Sequence, residues 1–151
     1  MADTEFKNKN ITFPENWVRN SNGGVIGQDM YKPDMSFSDS SGKVRCIIES
    51  TSTGDRKVGV GELCLADKFF SDNETEGVLI FSMCGISKSS PTPNTQSEYL
   101  KPYFKHLKRT GILYGVRDIY FIFERDFELL NWVALNDEFK EKALRLVASD
   151  F

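Results

Sequence analysis

Val78-Leu79-Ile80-Phe81-Ser82-Met83-Cys84 is an almost unbroken apolar run. A strand with one wet face alternates apolar and polar residues. A run like this one fits a strand covered on both faces, and so a sheet with a layer packed on each side. The chain has 151 residues, enough for one domain to bury such a core. Its 12 Phe point to a core that is largely aromatic.

The rest of the pattern supplies the layers. Tyr31 to Ser38 and Lys43 to Thr51 read as the two strands of a hairpin, turned by Asp39-Ser40-Ser41-Gly42. On the return strand Val44, Cys46 and Ile48 share one face. Arg45, Ile47, Glu49 and Thr51 share the other, because side chains alternate. Asp55 is placed to cap a helix over 56–70, with Val60, Leu63, Ala66 or Cys64, and Phe70 on its apolar side. A second helix is expected over 95–110, kinked or started late by Pro102, and a third core strand over 118–125. Phe139, Ala143, Leu146 and Val147 recur at helical spacing and predict a last helix over 137–148. Pro14 to Arg19 could form a helical turn capped by Thr12, and residues 1–10 read as a loose lead-in. The order predicts one α/β or α+β domain over 1–151, with a mixed sheet of four to five strands flanked by helices on both faces.

Several functions are unsupported. The net charge of −3 excludes a bulk polycation, so nucleic acid would have to meet a local basic patch. No apolar run reaches the roughly 18–20 residues of a membrane span. The polar first ten residues are unlike a secretory signal. Cys46, Cys64 and Cys84 are widely spaced and lie among apolar neighbours, which suggests buried free thiols in a reducing cytoplasm rather than a zinc site. His106, the one histidine, sits in a basic helical segment far from any strand-end nucleophile, against a catalytic triad. Gly59-Val60-Gly61 lacks a third glycine at dinucleotide spacing, and no phosphate-cradling Gly-x-x-x-x-Gly-Lys loop is present, so no nucleotide cofactor is expected.

Two acids stand where a hydrophobic residue would be safer. Asp34 and Glu49 fall on adjacent strands of the expected hairpin. A buried unpaired carboxylate costs several kcal/mol, and two together raise each other's pKa. A divalent cation removes both problems, since Mg²⁺ takes one or two carboxylates plus waters and a phosphate. The competing reading has Pro33-Asp34 as turn chemistry and Glu49 paired with Arg45 or Arg56.

Pro33-Asp34, a gap of about fifteen residues, and Ile47-Ile48-Glu49-x-Thr51 closing an apolar strand before a helix resemble the PD-(D/E)xK nuclease superfamily. The resemblance covers about residues 28–125. It implies a restriction-endonuclease-like core of four mixed strands flanked by helices. It implies Asp34, Glu49 and the Ser50 carbonyl as ligands of Mg²⁺, with Mn²⁺ as a substitute, and hydrolysis of DNA by metal-activated water. The chain departs from the family at Thr51, which stands in the lysine slot and carries no cation. Either Lys57 or Arg56 supplies that charge from the next helix, or the fold has been kept and the chemistry lost. Glu62 on the same helix could add a carboxylate, or could be a solvent-facing acid.

Lys101, Lys105, Lys108 and Arg109 share one face of the second predicted helix, with Tyr99, Tyr103 and Phe104 interleaved. Such a face can grip DNA phosphates while the aromatics pack inward, or can simply be solvated. Cutting both strands of a duplex would favour a homodimer with two-fold symmetry.

Overall fold

The computed structural model describes residues 3–21, 24–85, 90–111 and 115–147. Within them the chain forms α1 (Asp3–Lys7), β1 (Val18–Arg19), β2 (Met35–Ser38), β3 (Val44–Thr51), α2 (Arg56–Asp72), β4 (Gly77–Met83), α3 (Pro93–Arg109), β5 (Val116–Phe123), α4 (Glu124–Leu129), α5 (Asp137–Lys142) and β6 (Leu144–Val147). The six strands form one mixed sheet in the order β1-β2-β3-β4-β5-β6. β3, β4 and β5 are parallel, and β2 and β6 flank them antiparallel.

The apolar run is the spine of this sheet. Every residue of β4 is buried. Alternate side chains feed two cores. Ile47, Leu79, Phe81, Ile119 and Phe121 point to the face covered by α2 and α3, where Leu63, Ala66, Phe70, Leu100 and Phe104 meet them. Cys46, Ile48, Val78, Ile80 and Ile122 point to the other face, covered by Phe6, Phe13, Phe127 and Phe139 from the N-terminal segment, α4 and α5. The core is aromatic, as the Phe content suggested. Phe81 and Phe121 stack across β4 and β5 with ring centroids 5.2 Å apart.

Two contacts lock α2 to the sheet. Phe70 occupies the space beside Gly77, where an added Cβ would lie 2.0 Å from the ring. Asp67, buried in α2, accepts the N–H groups of Gly115 and Val116 at 2.7 and 2.9 Å and so fixes the start of β5.

The helix over 137–148 is not what forms. α5 ends at Lys142, Ala143 is extended (φ −78°, ψ 150°), and β6 pairs with β5. Leu144 and Leu146 alternate, and in a window this short periods of two and of 3.6 overlap. Pairing with the open edge of β5 selects the strand, which makes six strands rather than four or five. Thr12 caps no helix; it bridges to Val133, and its N–H reaches the Trp132 carbonyl. The first hairpin strand is shorter than expected, beginning at Met35, with Tyr31 bridged to Ile26. Directly after β5, Glu124 to Leu129 form the short helix α4. α3 starts earlier than expected, with Thr92 and Thr95 forming a reciprocal cap and Pro102 inside the helix. Residues 86–89, and position 148 of the expected last helix, lie outside the described residues. Of the cysteines, Cys46 is buried, Cys84 half-buried and Cys64 exposed, so the expectation of buried thiols is met fully at Cys46 alone. No helix among the described residues is long and apolar enough to cross a membrane.

Candidate functional site

β3 and β4 are parallel, so both end at one edge of the sheet, where α2 and α3 begin. β2 runs the other way, and its first residue, Met35, pairs with Ile48 near the end of β3. Asp34, one residue earlier, is thereby carried to the same edge as Glu49.

The two acids interlock through the backbone. The Asp34 N–H reaches Glu49 Oε2 at 3.3 Å, and Asp34 Oδ2 accepts the Ser50 N–H at 2.8 Å. In a strand the N–H and C=O of one residue point the same way, and the next residue points them oppositely. The Thr51 carbonyl accepts from Cys84 N–H on the β4 side. The Ser50 carbonyl therefore faces the Asp34 side of β3.

Glu49 is 6% exposed. Neither Arg45 nor Arg56 neutralises it. Arg45 pairs with Asp39, and Arg56 stacks over Tyr99, 4.9 Å from the ring centroid. Its partners are instead a phenol and other acids. Tyr31 donates its hydroxyl to Glu49 Oε1 at 2.8 Å, and the Glu62 carboxyl from α2 lies within hydrogen-bonding reach. Burial is the largest influence on Glu49. The Tyr31 hydrogen bond works against it, the Asp34 charge adds to it, and the carboxyl is pushed up from 4.5 to about 7. Burial, and then the Glu49 charge, push the Tyr31 phenol far above its ordinary range, so it keeps its proton and stays a donor.

The cation nearest the acids is Lys7, at the end of α1, with Nζ 3.2 Å from Asp34 Oδ1. The described part of the expected lead-in, residues 3–10, is not loose, since Phe6 is fully buried and Lys7 meets the site. Thr51 is buried, and its hydroxyl donates to the Thr53 carbonyl at 3.2 Å. Lys57 is exposed in the first turn of α2, where its N–H binds the capping Asp55 side chain at 2.9 Å. The structure therefore brings together Asp34, Glu49, Ser50 and Glu62 from the expected set. It adds Tyr31 and Lys7, and it sets Arg56, at the start of α2, apart from the acids over the Tyr99 ring of α3. Tyr31 could have been found from the sequence as a polar-tipped residue three positions before Asp34; Lys7 carries no local signal.

Lys101, Lys105, Lys108 and Arg109 lie on α3. This helix begins at the edge that holds the acids and runs back toward the start of β5. At 1.5 Å per residue, Lys101 is about 12 Å and Arg109 about 24 Å along it from Pro93. The basic face leads away from the acids. Phe104 is buried, but Tyr99 and Tyr103 are 39% and 40% exposed rather than packed inward.

Asp34, Glu49, Glu62 and the Ser50 carbonyl offer oxygen donors, which suit a hard cation such as Mg²⁺; the Cys84 thiol lies 3.7 Å from the Ser50 hydroxyl at the same strand ends. Each carboxylate oxygen has two lone pairs, so those that accept one hydrogen bond can still take a metal. Among the described residues no ready-made cage of three or more His, Cys, Asp or Glu side chains is found. Two carboxylates and a backbone carbonyl could supply part of the shell of such a cation, with water or phosphate supplying the rest. No family model, curated protein or solved structure gives a significant match to this chain.

Proposed function

We propose that the chain is a divalent-metal-dependent endonuclease of the PD-(D/E)xK kind, hydrolysing DNA phosphodiester bonds in a restriction or defence role. The observation that carries this reading is the interlock of Asp34 and Glu49 at adjacent strand ends, in which Glu49 accepts the Asp34 N–H and Asp34 accepts the Ser50 N–H. The hairpin, helix, strand, helix, strand order around them supports a restriction-endonuclease-like core. Asp34, Glu49 and the Ser50 carbonyl would hold Mg²⁺ or Mn²⁺. Such a cation acidifies a water molecule and withdraws charge from the phosphodiester. Tyr31 orients Glu49 through its hydroxyl. Lys7 takes the part of the missing lysine, bringing a cation to negative charge that develops on the phosphate. Two copies about a two-fold axis would cut both strands, and three free cysteines suit a reducing cytoplasm.

The test is cleavage of mixed plasmid and genomic DNA in Mg²⁺ and Mn²⁺, with an RNA control. Asp34→Ala and Glu49→Ala should abolish metal-dependent fragments. Lys7→Met should slow cleavage on the order of 10²-fold, while Lys57→Met should not. Fragments that persist in both acid variants would refute the site. A second reading, a non-catalytic DNA-binding or interaction subunit of the same fold, is favoured by Thr51, whose hydroxyl is spent on Thr53. Duplex binding without cleavage in either metal would select it.

A further inference from the structure

A cleft of about 380 Å³ opens beside Asp34, and its charge is opposite to that of the chain. Lys7, Arg19 and Lys32 line it, and Asp34 is the one acid among its lining residues. That is three positive groups against one negative, in a protein whose net charge is −3. Two other clefts among the described residues are different. One carries Asp29 and Asp72 against Lys68, and another sets Asp126 against Lys142.

The cleft is built rather than incidental. Arg19 donates to the Lys7 carbonyl, which ties the edge strand β1 to the end of α1. Asn20 donates to the hydroxyls of Ser36 and Ser38 at 3.0 and 2.9 Å and accepts from Ser38, so the floor is fixed by a closed polar network. Lys7 spans the cleft to Asp34, with its side chain 41% exposed. Arg19 and Lys32 are exposed, and among the described residues neither has a carboxylate partner. Two unneutralised cations facing a shared polar cavity ask for an anion. The cavity is larger than a single phosphate group needs, and it leads directly to Asp34.

We infer that this cleft is a binding site for the backbone phosphates of a polynucleotide, which Arg19 and Lys32 grip next to the acidic edge. The inference rests on the nuclease reading for the polymer it names, but not for the binding itself. It also gives the substrate a course. The strand enters along β1 and the Lys32-Pro33 segment rather than along α3, whose basic face leads away from the acids.

The experiment measures binding, with EDTA present so that no cleavage occurs. Fluorescein-labelled 16-base-pair DNA and RNA duplexes of one sequence are titrated with protein by anisotropy, at several salt concentrations. The wild type should bind at least one duplex. Arg19→Ala/Lys32→Ala should weaken that binding roughly tenfold or more and flatten the log–log salt slope by about 1.8, the loss of two phosphate contacts. Lys32→Ala alone, which removes no hydrogen bond seen among the described residues, should flatten it by about 0.9. Lys105→Ala/Arg109→Ala should leave the slope unchanged, and Asp34→Asn should tighten binding by removing the cleft's one negative charge. The DNA and RNA arms decide which backbone is preferred. A wild-type slope in the Arg19/Lys32 variant, or no binding of either duplex by the wild type, would overturn the inference. Normal cleavage with an unchanged slope removes the cleft and leaves the nuclease reading intact. A lost slope without cleavage in any metal keeps the cleft and removes the catalysis.

Discussion

Glu49→Gln should make the protein more stable at pH 8 and leave it nearly unchanged at pH 5. In the folded chain Glu49 is buried beside Tyr31, Asp34 and Glu62, and Lys7 pairs with Asp34. Its carboxyl titrates at about 7 instead of 4.5. A raised acid pKa means that the folded state binds the proton more tightly than the unfolded state. Stability is then fully present below about pH 4.5, falls as pH rises, and levels off above about 7. At 1.36 kcal/mol per pH unit the loss amounts to about 3 kcal/mol. Glutamine keeps an acceptor for Tyr31 but never ionises, so it avoids that loss. Its NH2 group then faces the Asp34 N–H as donor against donor, so that hydrogen bond is lost at a cost of about 1 kcal/mol, and this cost does not vary with pH. Urea unfolding followed by tryptophan fluorescence provides the assay, with a slope of about 1–3 kcal/mol/M. Between pH 5 and pH 8 the wild-type midpoint should drop relative to the variant by about 1–2 M. At pH 8, Mg²⁺ should restore part of the wild-type midpoint and none of the variant's. Parallel pH curves for the two proteins would refute the description of Glu49 as a buried acid pressed against other acids.

Two further perturbations test the frame that holds the site. Gly77→Ala would drive a Cβ into the Phe70 ring and should cost about 2–3 kcal/mol in urea unfolding; a cost below about 1 kcal/mol would mean that α2 does not sit against the start of β4 as described. Asp67→Ala removes the acceptor of two N–H groups at the start of β5 and should cost about 2–5 kcal/mol. Asp67→Asn, which keeps an acceptor oxygen, should cost less than half as much, and equal losses would place the role of Asp67 elsewhere.

The hairpin, the buried β4 run and α2 were legible because each is a local pattern. Alternation put Glu49 and Thr51 on one face, and the turn chemistry of Asp39 to Gly42 brought Asp34 alongside. The last helix was misread because Phe139, Ala143 and Leu146 satisfy helical spacing while Leu144 and Leu146 also satisfy strand spacing. Only the free edge of β5 separates the two. The basic face of α3 was visible as a face, but its distance from the acids depends on the direction in which the crossover carries the helix.

What the sequence determined by itself is the sheet covered on both sides and the pairing of Asp34 with Glu49, since both follow from periodicity and from contacts between neighbouring strands. The tertiary structure alone decided which cation meets the acids. Lys57 and Arg56 are closer to Glu49 along the chain, yet α2 holds Lys57 in its exposed first turn and Arg56 on Tyr99. Lys7 arrives instead because Phe6 beside it is buried in the core on the other face of the sheet, and that anchor sets the end of α1 against Asp34. A lysine carries no periodic signature of its own. Its partner is chosen by where the hydrophobic residues around it are forced to go.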